Sequence, residues 1–300
     1  MTKNFLKSRT LVQILAGLSM SLALTTAASA ASEGGPAIGP QNWSFGGVRG
    51  HFDRAQLQRG FQVYKEVCST CHGVKHLSFR NLAEKGGPEF PEDGVKTLAA
   101  TYKITDGPND QGKMFKRPGR LSDPIPNPFD NEPQARSANN GALPPDFSLI
   151  AKARSAEHDK PFYMVPWSVL KDVFISGGYQ EGGADYIYAL MTGYQDMPKD
   201  MKGSDGKEMK LSDGMYFNMV YPGHQIAMPS PLTDGVVKYS DGTPAKVANY
   251  ARDVTAFLAW AADPKLEERK RMGLMVMLYL LITSVLLYLA KRRVWSGVPH

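Results

Sequence analysis

Cysteine is nearly absent: the 300-residue chain has two, Cys68 and Cys71. That excludes a disulfide framework and a zinc site built on two cysteine pairs, since a structural zinc needs about four ligands. Long apolar runs are confined to the two ends. Between residues 86 and 147 the regular hydrophobic period of a sheet or bundle is missing, and Gly and Pro recur instead. This argues for long irregular segments packed around something other than a regular protein core. Charge of one sign is also scarce once the ends are set aside. The formal net charge is +6, with 35 basic and 29 acidic residues. Ten of the bases are terminal: Lys3, Lys7, Arg9, Lys265, Arg269, Lys270, Arg271, Lys291, Arg292 and Arg293. Without these, and without Glu267 and Glu268, 25 bases face 27 acids, a net charge of about −2 for residues 31–264. No nucleic-acid partner is expected. The recurring acids Glu84, Glu89, Glu92, Asp93, Asp106, Asp110, Asp123, Asp130 and Glu132 form either an ordinary solvated surface or one that steers a basic soluble partner, an effect that salt would weaken.

The ends carry targeting and membrane signals. Lys3, Lys7 and Arg9 precede the apolar run Leu11 to Ala23 and the small-residue site Ala28-Ser29-Ala30. The run is short and broken by Gly17 and Ser19, the pattern of a cleaved secretory signal rather than an anchor. Residues 1–30 are therefore set aside from the fold. At the other end, Met272 to Ala290 are 19 residues without a charge. At ~1.5 Å each they span about 28 Å, close to the hydrocarbon thickness of a bilayer. Basic clusters on both sides leave the positive-inside rule undecided. An export signal followed by one stop-transfer helix decides it: residues 31–268 outside, 269–293 across the membrane, 294–300 in the cytoplasm. The expected location is the inner membrane of a cell, single-pass, with a periplasmic domain of 31–268.

Cys68-Ser69-Thr70-Cys71-His72 is the attachment signature of a covalent c-type haem. Two thiols add to the porphyrin vinyl groups, and the adjoining His72 falls beneath the iron as an axial ligand. Rival readings are weaker. A bridge across two residues is strained. A thioredoxin-like dithiol wants a strand before it, whereas Ala55, Leu57, Phe61, Tyr64 and Val67 recur at helical spacing over 54–67. The iron needs one distal ligand. Met228, in the stiff segment Met228-Pro229-Ser230-Pro231, is one candidate and Met197-Pro198 the other; a methionine in that position would raise the potential. A further helix is expected over 246–262, with Val247, Tyr250, Val254, Phe257, Leu258 and Ala261 on one face, ended by Asp263-Pro264. In the c-type cytochrome fold that the attachment motif implies, the helix before the motif crosses a helix near the chain end, so Gly60 and Phe61 of the first helix are expected to cross Tyr250 or Phe257 of this one. The fold class is thus mainly α with long irregular segments: a c-type cytochrome fold around one covalent haem c, plus one C-terminal transmembrane helix.

Longer stretches go beyond a generic cytochrome. Cys68-Ser69-Thr70-Cys71-His72 with Leu77-Ser78-Phe79-Arg80-Asn81-Leu82, and Ala138-Asn139-Asn140-Gly141-Ala142-Leu143-Pro144-Pro145-Asp146-Phe147-Ser148, resemble the cytochrome c1 family. So do Asp185-Tyr186-Ile187-Tyr188-Ala189-Leu190-Met191-Thr192-Gly193-Tyr194 and the stretch from Tyr216-Phe217-Asn218 to Ile226-Ala227-Met228-Pro229. The resemblance covers roughly residues 40–298 and is of the bacterial type. It implies a subunit of the quinol–cytochrome c reductase (bc1 complex), with cytochrome b, the Rieske iron–sulfur protein and a soluble c-type cytochrome as partners. It puts the distal ligand on Met228 rather than Met197, a haem propionate partner on Arg154, the ring border on Tyr186, and the haem edge on Pro144 and Pro145. Arg136 and Asn139 are further candidates. Residues 155–180 depart from the shorter family members as an insertion, which must hold by packing because no cysteine is spare. The chain alone performs no bond-making chemistry. The rival functional reading is a free-standing, membrane-tethered cytochrome serving an oxidase. It predicts a flexible linker, whereas Asp263 to Arg271 is short and charged. A third reading, an exported structural protein with a disulfide, predicts no haem stain on a denaturing gel.

Overall fold

The computed structural model describes residues 38–154, 182–199, 201 and 208–297. The expected export signal at 1–30 and the expected insertion at 155–180 lie outside the described residues. Helix α1 (Arg54–Glu66) starts where the Asp53 carboxylate accepts from the Gln56 amide at 3.1 Å, satisfying one of the helix's unpaired donors. Short 3-10 turns follow at Cys68–Thr70 and Phe79–Leu82, then α2 (Glu92–Ala100) and an antiparallel hairpin of β1 (Lys103–Asp106) and β2 (Phe115–Pro118). Arg117 on β2 braces this hairpin by pairing with both Asp106 and Asp123. Next come α3 (Glu132–Ala138), the single turn α4 (Ile150–Ala153) and α5 (Gly183–Thr192). A second hairpin joins β3 (Tyr216–Phe217) and β4 (Gln225–Ile226). Helices α6 (Val247–Ala262) and α7 (Leu266–Val294) complete the chain. Strands are short and few, and the architecture is mainly helical, as the sequence suggests.

The core forms where α1 crosses α6, the most extensive contact between elements. Gly60 makes this possible. A Cβ there would lie 2.1 Å from the Asp253 carbonyl oxygen and 2.7 Å from Phe257 Cβ. Around that point the Phe257 ring packs at 5.6 Å centroid distance from both Phe61 and Tyr64. The expected crossing of Gly60 and Phe61 with Phe257 is thus present. Tyr250 serves elsewhere, pairing through its hydroxyl with both backbone groups of Val237. Beside the crossing, Asp253 is 3% exposed and takes Arg59 Nε at 2.8 Å and Gln56 Nε2 at 3.2 Å. Asp253 is buried and Arg59 partly exposed, so a shift of either helix that broke the pair would leave a buried carboxylate uncompensated, which favours this register of the two helices. Helices α4 and α5 also pack on α6.

Helix α7 carries an apolar stretch of mean hydropathy 2.3, none of it buried, and is long and apolar enough to cross a membrane. Its first turn is clasped to the domain. Arg54 Nη1 and Nη2 donate to the two Glu267 carboxylate oxygens at 2.8 Å each, and the Phe52 amide donates to Glu267 Oε1 at 2.8 Å. Lys270 Nζ donates to the Phe45 carbonyl at 2.6 Å. Asp263, between α6 and α7, pairs with Lys152 and Arg269.

Because Gly60 faces backbone, replacement by alanine has no flexible neighbour to displace. Gly60→Ala is expected to cost about 3 kcal/mol, the upper end for overpacking. Denaturant unfolding of the detergent-solubilised chain measures it, and an unchanged midpoint would mean the helices do not meet this closely.

Candidate functional site

The attachment motif follows the end of α1. The 3-10 turn Cys68–Thr70 continues the chain, with the Cys71 and His72 amides both donating to the Cys68 carbonyl at 3.1 and 2.9 Å. The two spacer residues finish the helix: Ser69 Oγ donates to the Lys65 carbonyl at 2.8 Å and Thr70 Oγ1 to the Val67 carbonyl at 2.9 Å. Their hydroxyls satisfy carbonyls that the helix end leaves open. Both cysteines are free thiols and half-buried. Burial, and then the neighbouring Cys71, push the Cys68 thiol up to about 12.

His72 is buried and held from three directions. Tyr64 Oη donates to its carbonyl at 3.0 Å, and Phe147 stacks on its ring at 3.9 Å and 11°. Its Nδ1 lies 2.8 Å from the Pro145 carbonyl oxygen. A carbonyl only accepts, so the proton is assigned to Nδ1 and the lone pair to Nε2. Burial pushes the imidazole pKa down, against the opposing pull of the Pro145 carbonyl and the Asp146 charge. A neutral imidazole, oriented through its far nitrogen, is the form that ligates a metal.

The Pro145 segment is itself stitched to the chain after the motif. The Phe147 amide donates to the Gly73 carbonyl at 2.7 Å, and the Lys75 amide to Asp146 Oδ2 at 3.0 Å. The His76 amide donates to the Ser148 hydroxyl at 3.0 Å, and the Ser148 amide to Asp146 Oδ1 at 2.9 Å. Pro144 is half-buried and Pro145 exposed. Their expected place at a haem edge is one of packing; the contact the structure adds is the Pro145 carbonyl. From Ser148 the chain runs into α4, which Arg154 caps. Helix α5 rides on that turn: a Cβ at Gly183 would lie 1.8 Å from the Ala151 carbonyl and 2.4 Å from that of Arg154. Tyr186 on α5 is half-buried; burial raises its pKa and the nearby charge of Arg154 lowers it.

Met228, also half-buried, follows β4, and Tyr194 Oη donates to its carbonyl at 3.0 Å. Met197 lies on the wall of an open cavity of about 510 Å³ shared with Tyr194 and Ser230. Cys68, Cys71, His72 and Pro145 lie together, Arg154 and Tyr186 sit on the packed pair α4 and α5, and Met228 is tied to Tyr194. Among the described residues no hydrogen bond links Met228 to the His72 group directly. Arg136 and Asn139 serve locally: Arg136 Nη1 donates to the Gly141 carbonyl at 3.1 Å and Asn139 Nδ2 to the Ala135 carbonyl at 2.7 Å, closing the end of α3. Tyr64, Asp146, Phe147 and Tyr194 were not singled out from the sequence, although three of them lie inside the quoted motifs.

Among the described residues, no group of three or more His, Cys, Asp or Glu gathers as a metal-ion site. The donor set fits a covalent haem: two free thiols on one turn and a neutral imidazole with its Nε2 lone pair available. The Cytochrome C1 family model matches residues 43–298. The chain is 49% identical over 266 residues to a cytochrome b/c1 of Bradyrhizobium diazoefficiens, covering 89% of this chain and spanning 36% of that longer protein. It is 42% identical over 294 residues to cytochrome c1 of Rhodospirillum rubrum, covering 95% of this chain and 97% of that one. To a mitochondrial cytochrome c1 heme protein of Arabidopsis thaliana it is 38% identical over 282 residues, with 94% and 80% covered.

Asp146 accepts from two backbone amides, Lys75 after the motif and Ser148 in the Pro145 segment. Asp146→Ala is expected to cost about 2 kcal/mol, about 1 kcal/mol per lost hydrogen bond. Thermal unfolding of the full chain reads this, and wild-type stability in the variant would show that the stitch is incidental.

Proposed function

Since the chain belongs to the cytochrome c1 family, we propose that it holds one haem c through Cys68 and Cys71, with His72 and Met228 as axial ligands. Its role is that of a cytochrome c1: electron transfer in a bc1 complex. Within that role, the proposal is that the chain takes an electron from the Rieske iron–sulfur protein, beside cytochrome b, and hands it to a soluble c-type cytochrome. The enzyme, a quinol–cytochrome c reductase, is then the whole complex, and this chain is its electron carrier.

The haem supplies a one-electron couple. The protein does the rest. Two thioether bonds keep the group in an exposed domain. The Pro145 carbonyl and the Phe147 face hold the His72 ring, so that Nε2 has one direction in which to point. The Met228 sulfur, on a proline-bearing segment, is a soft donor that raises the potential relative to a second imidazole. Arg154 is proposed to offset propionate charge, and Tyr186, Pro144 and Pro145 to border the ring. The observation that carries the reading is the pair of free thiols one turn from an imidazole committed through Nδ1 to a carbonyl. The acidic surface is proposed to steer a basic acceptor. The domain is proposed to be periplasmic, with residues 1–30 removed, 269–293 in the inner membrane and 294–300 cytoplasmic.

The tethered-shuttle reading needs a loose connection between domain and anchor. The clasp of Arg54 on Glu267, with Lys270 on Phe45, favours a docked subunit.

Potentiometry on the c-type absorption band of the purified membrane complex tests the assignment. Wild type is expected to show a high potential, reduction by quinol and co-purifying b-type haem. Met228→Leu is expected to lower the potential steeply and stop electron entry, while Met197→Leu keeps the wild-type value. The reverse result would move the ligand to Met197. A c-type haem without b-type partners would favour the shuttle, and no covalent haem would end the reading.

A further inference from the structure

Met228 lies at the end of a scaffold that starts on α5. Asn218, with 0% exposure, donates through Nδ2 to the Leu190 carbonyl at 2.8 Å, near the C-terminus of that helix. Its Oδ1 accepts from the Val220 amide at 2.9 Å and the Tyr221 amide at 3.2 Å, and its own amide donates to the His224 carbonyl at 3.0 Å. A buried amide satisfied on every side is a rigid point. Gly193, at the end of α5, fits tightly against it. A Cβ there would lie 2.8 Å from the Ala189 carbonyl and 3.0 Å from Asn218 Oδ1. The Gly193 carbonyl accepts from the Met219 amide at 2.9 Å, and Tyr194 pairs with Asn218 as an isolated antiparallel bridge. The base of Tyr194 is therefore fixed to the helix end.

Among the described residues, the stretch Met228–Pro231 is flanked by the buried Ile226 and Leu232 but carries few backbone donors of its own. Pro229 and Pro231 have no N–H to donate. The β3–β4 ladder leading to it is two residues long. The Tyr194 hydroxyl reaches across 34 positions of sequence to the Met228 carbonyl at 3.0 Å.

We propose that Tyr194 is the positioning residue of the distal ligand: its hydroxyl fixes the Met228 backbone, and Asn218 fixes Tyr194 to the end of α5. The thioether sulfur then has one reach instead of several. The inference rests on the reading of Met228 as ligand and adds to it what holds the ligand in place.

Tyr194→Phe keeps the ring and removes only the donor. In the full complex the variant is expected to retain its haem stain on a denaturing gel. Its c-type midpoint potential is expected to fall, the charge-transfer absorption of a thioether–iron bond to weaken in the oxidised protein, and carbon monoxide to bind the reduced protein where wild type excludes it. A merely structural role would lower thermal stability and leave these three readouts unchanged, which would overturn the proposal. Gly193→Ala, which displaces the base of Tyr194 without touching the hydroxyl, is expected to lower the potential less, and is the variant to measure if Tyr194→Phe does not accumulate; a wild-type potential in it also counts against the proposal. Loss of the ligand reading itself looks different: the thioether band would be missing from wild type or would survive Met228→Leu.

Discussion

Everything in this domain hangs on the approach of α1 to α6 at Gly60. No side chain separates the two helices there, and a Cβ would sit 2.1 Å from a backbone oxygen. That contact fixes the axis of α1, and the axis of α1 fixes where Cys68, Cys71 and His72 emerge from its end. The same contact fixes α6, whose Asp263-Pro264 end sets the start of the membrane helix α7. Arg54, on the first turn of α1, then reaches back to Glu267 on the first turn of α7. Three helices close a ring, so the attachment turn and the anchor are placed by one packing decision. Arg59 and Asp253 select the register of that packing, since a slip of either helix would strand a buried carboxylate.

The remaining chain is irregular, yet it has the properties of a rigid body. Long loops usually run over the surface because their backbone groups need water. Here buried or half-buried polar side chains take that place. Asp146 and Ser148 serve the segment beside His72, and Asn218 serves the segment before Met228. Each satisfies backbone donors or acceptors that a helix or ladder would otherwise have paired. Fixing such segments costs conformational entropy, and the prolines at 144, 145, 229 and 231 reduce that cost in the unfolded chain.

What the sequence revealed and what it hid divide along physical lines. Helical periodicity placed α1 at 54–67 and α6 at 246–262, against Arg54–Glu66 and Val247–Ala262 observed. The c-type cytochrome fold implied by the motif put Gly60 and Phe61 against Tyr250 or Phe257, and the structure brings them to Phe257. The spacing of two thiols and a histidine points to the proposed attachment turn because the chemistry needs those side chains and tolerates few others. The Pro145 carbonyl was not legible. Any residue carries a carbonyl, and this one meets His72 across 73 positions of sequence. Tyr194 and Asn218 were hidden in the same way, since their work is to bind backbone groups far along the chain. Arg136 and Asn139 also bind backbone, closing the end of their own helix.

The two axial candidates are held by unequal means, and this bears on how the potential is set. His72 is fixed by a carbonyl, a stacked ring and a tyrosine on its backbone. Met228 is fixed by one hydroxyl on its carbonyl and a short ladder behind it. A ligand that is neutral, oriented by hydrogen bonds and buried has little freedom left to vary. The softer side therefore carries the variation: small changes near Met228 would move its sulfur, and that sulfur, as the proposed ligand, would raise the potential of the ferric–ferrous couple. In a chain whose proposed task is to accept an electron from one partner and release it to another, tuning at the methionine side leaves the attachment turn, the helix crossing and the anchor clasp undisturbed.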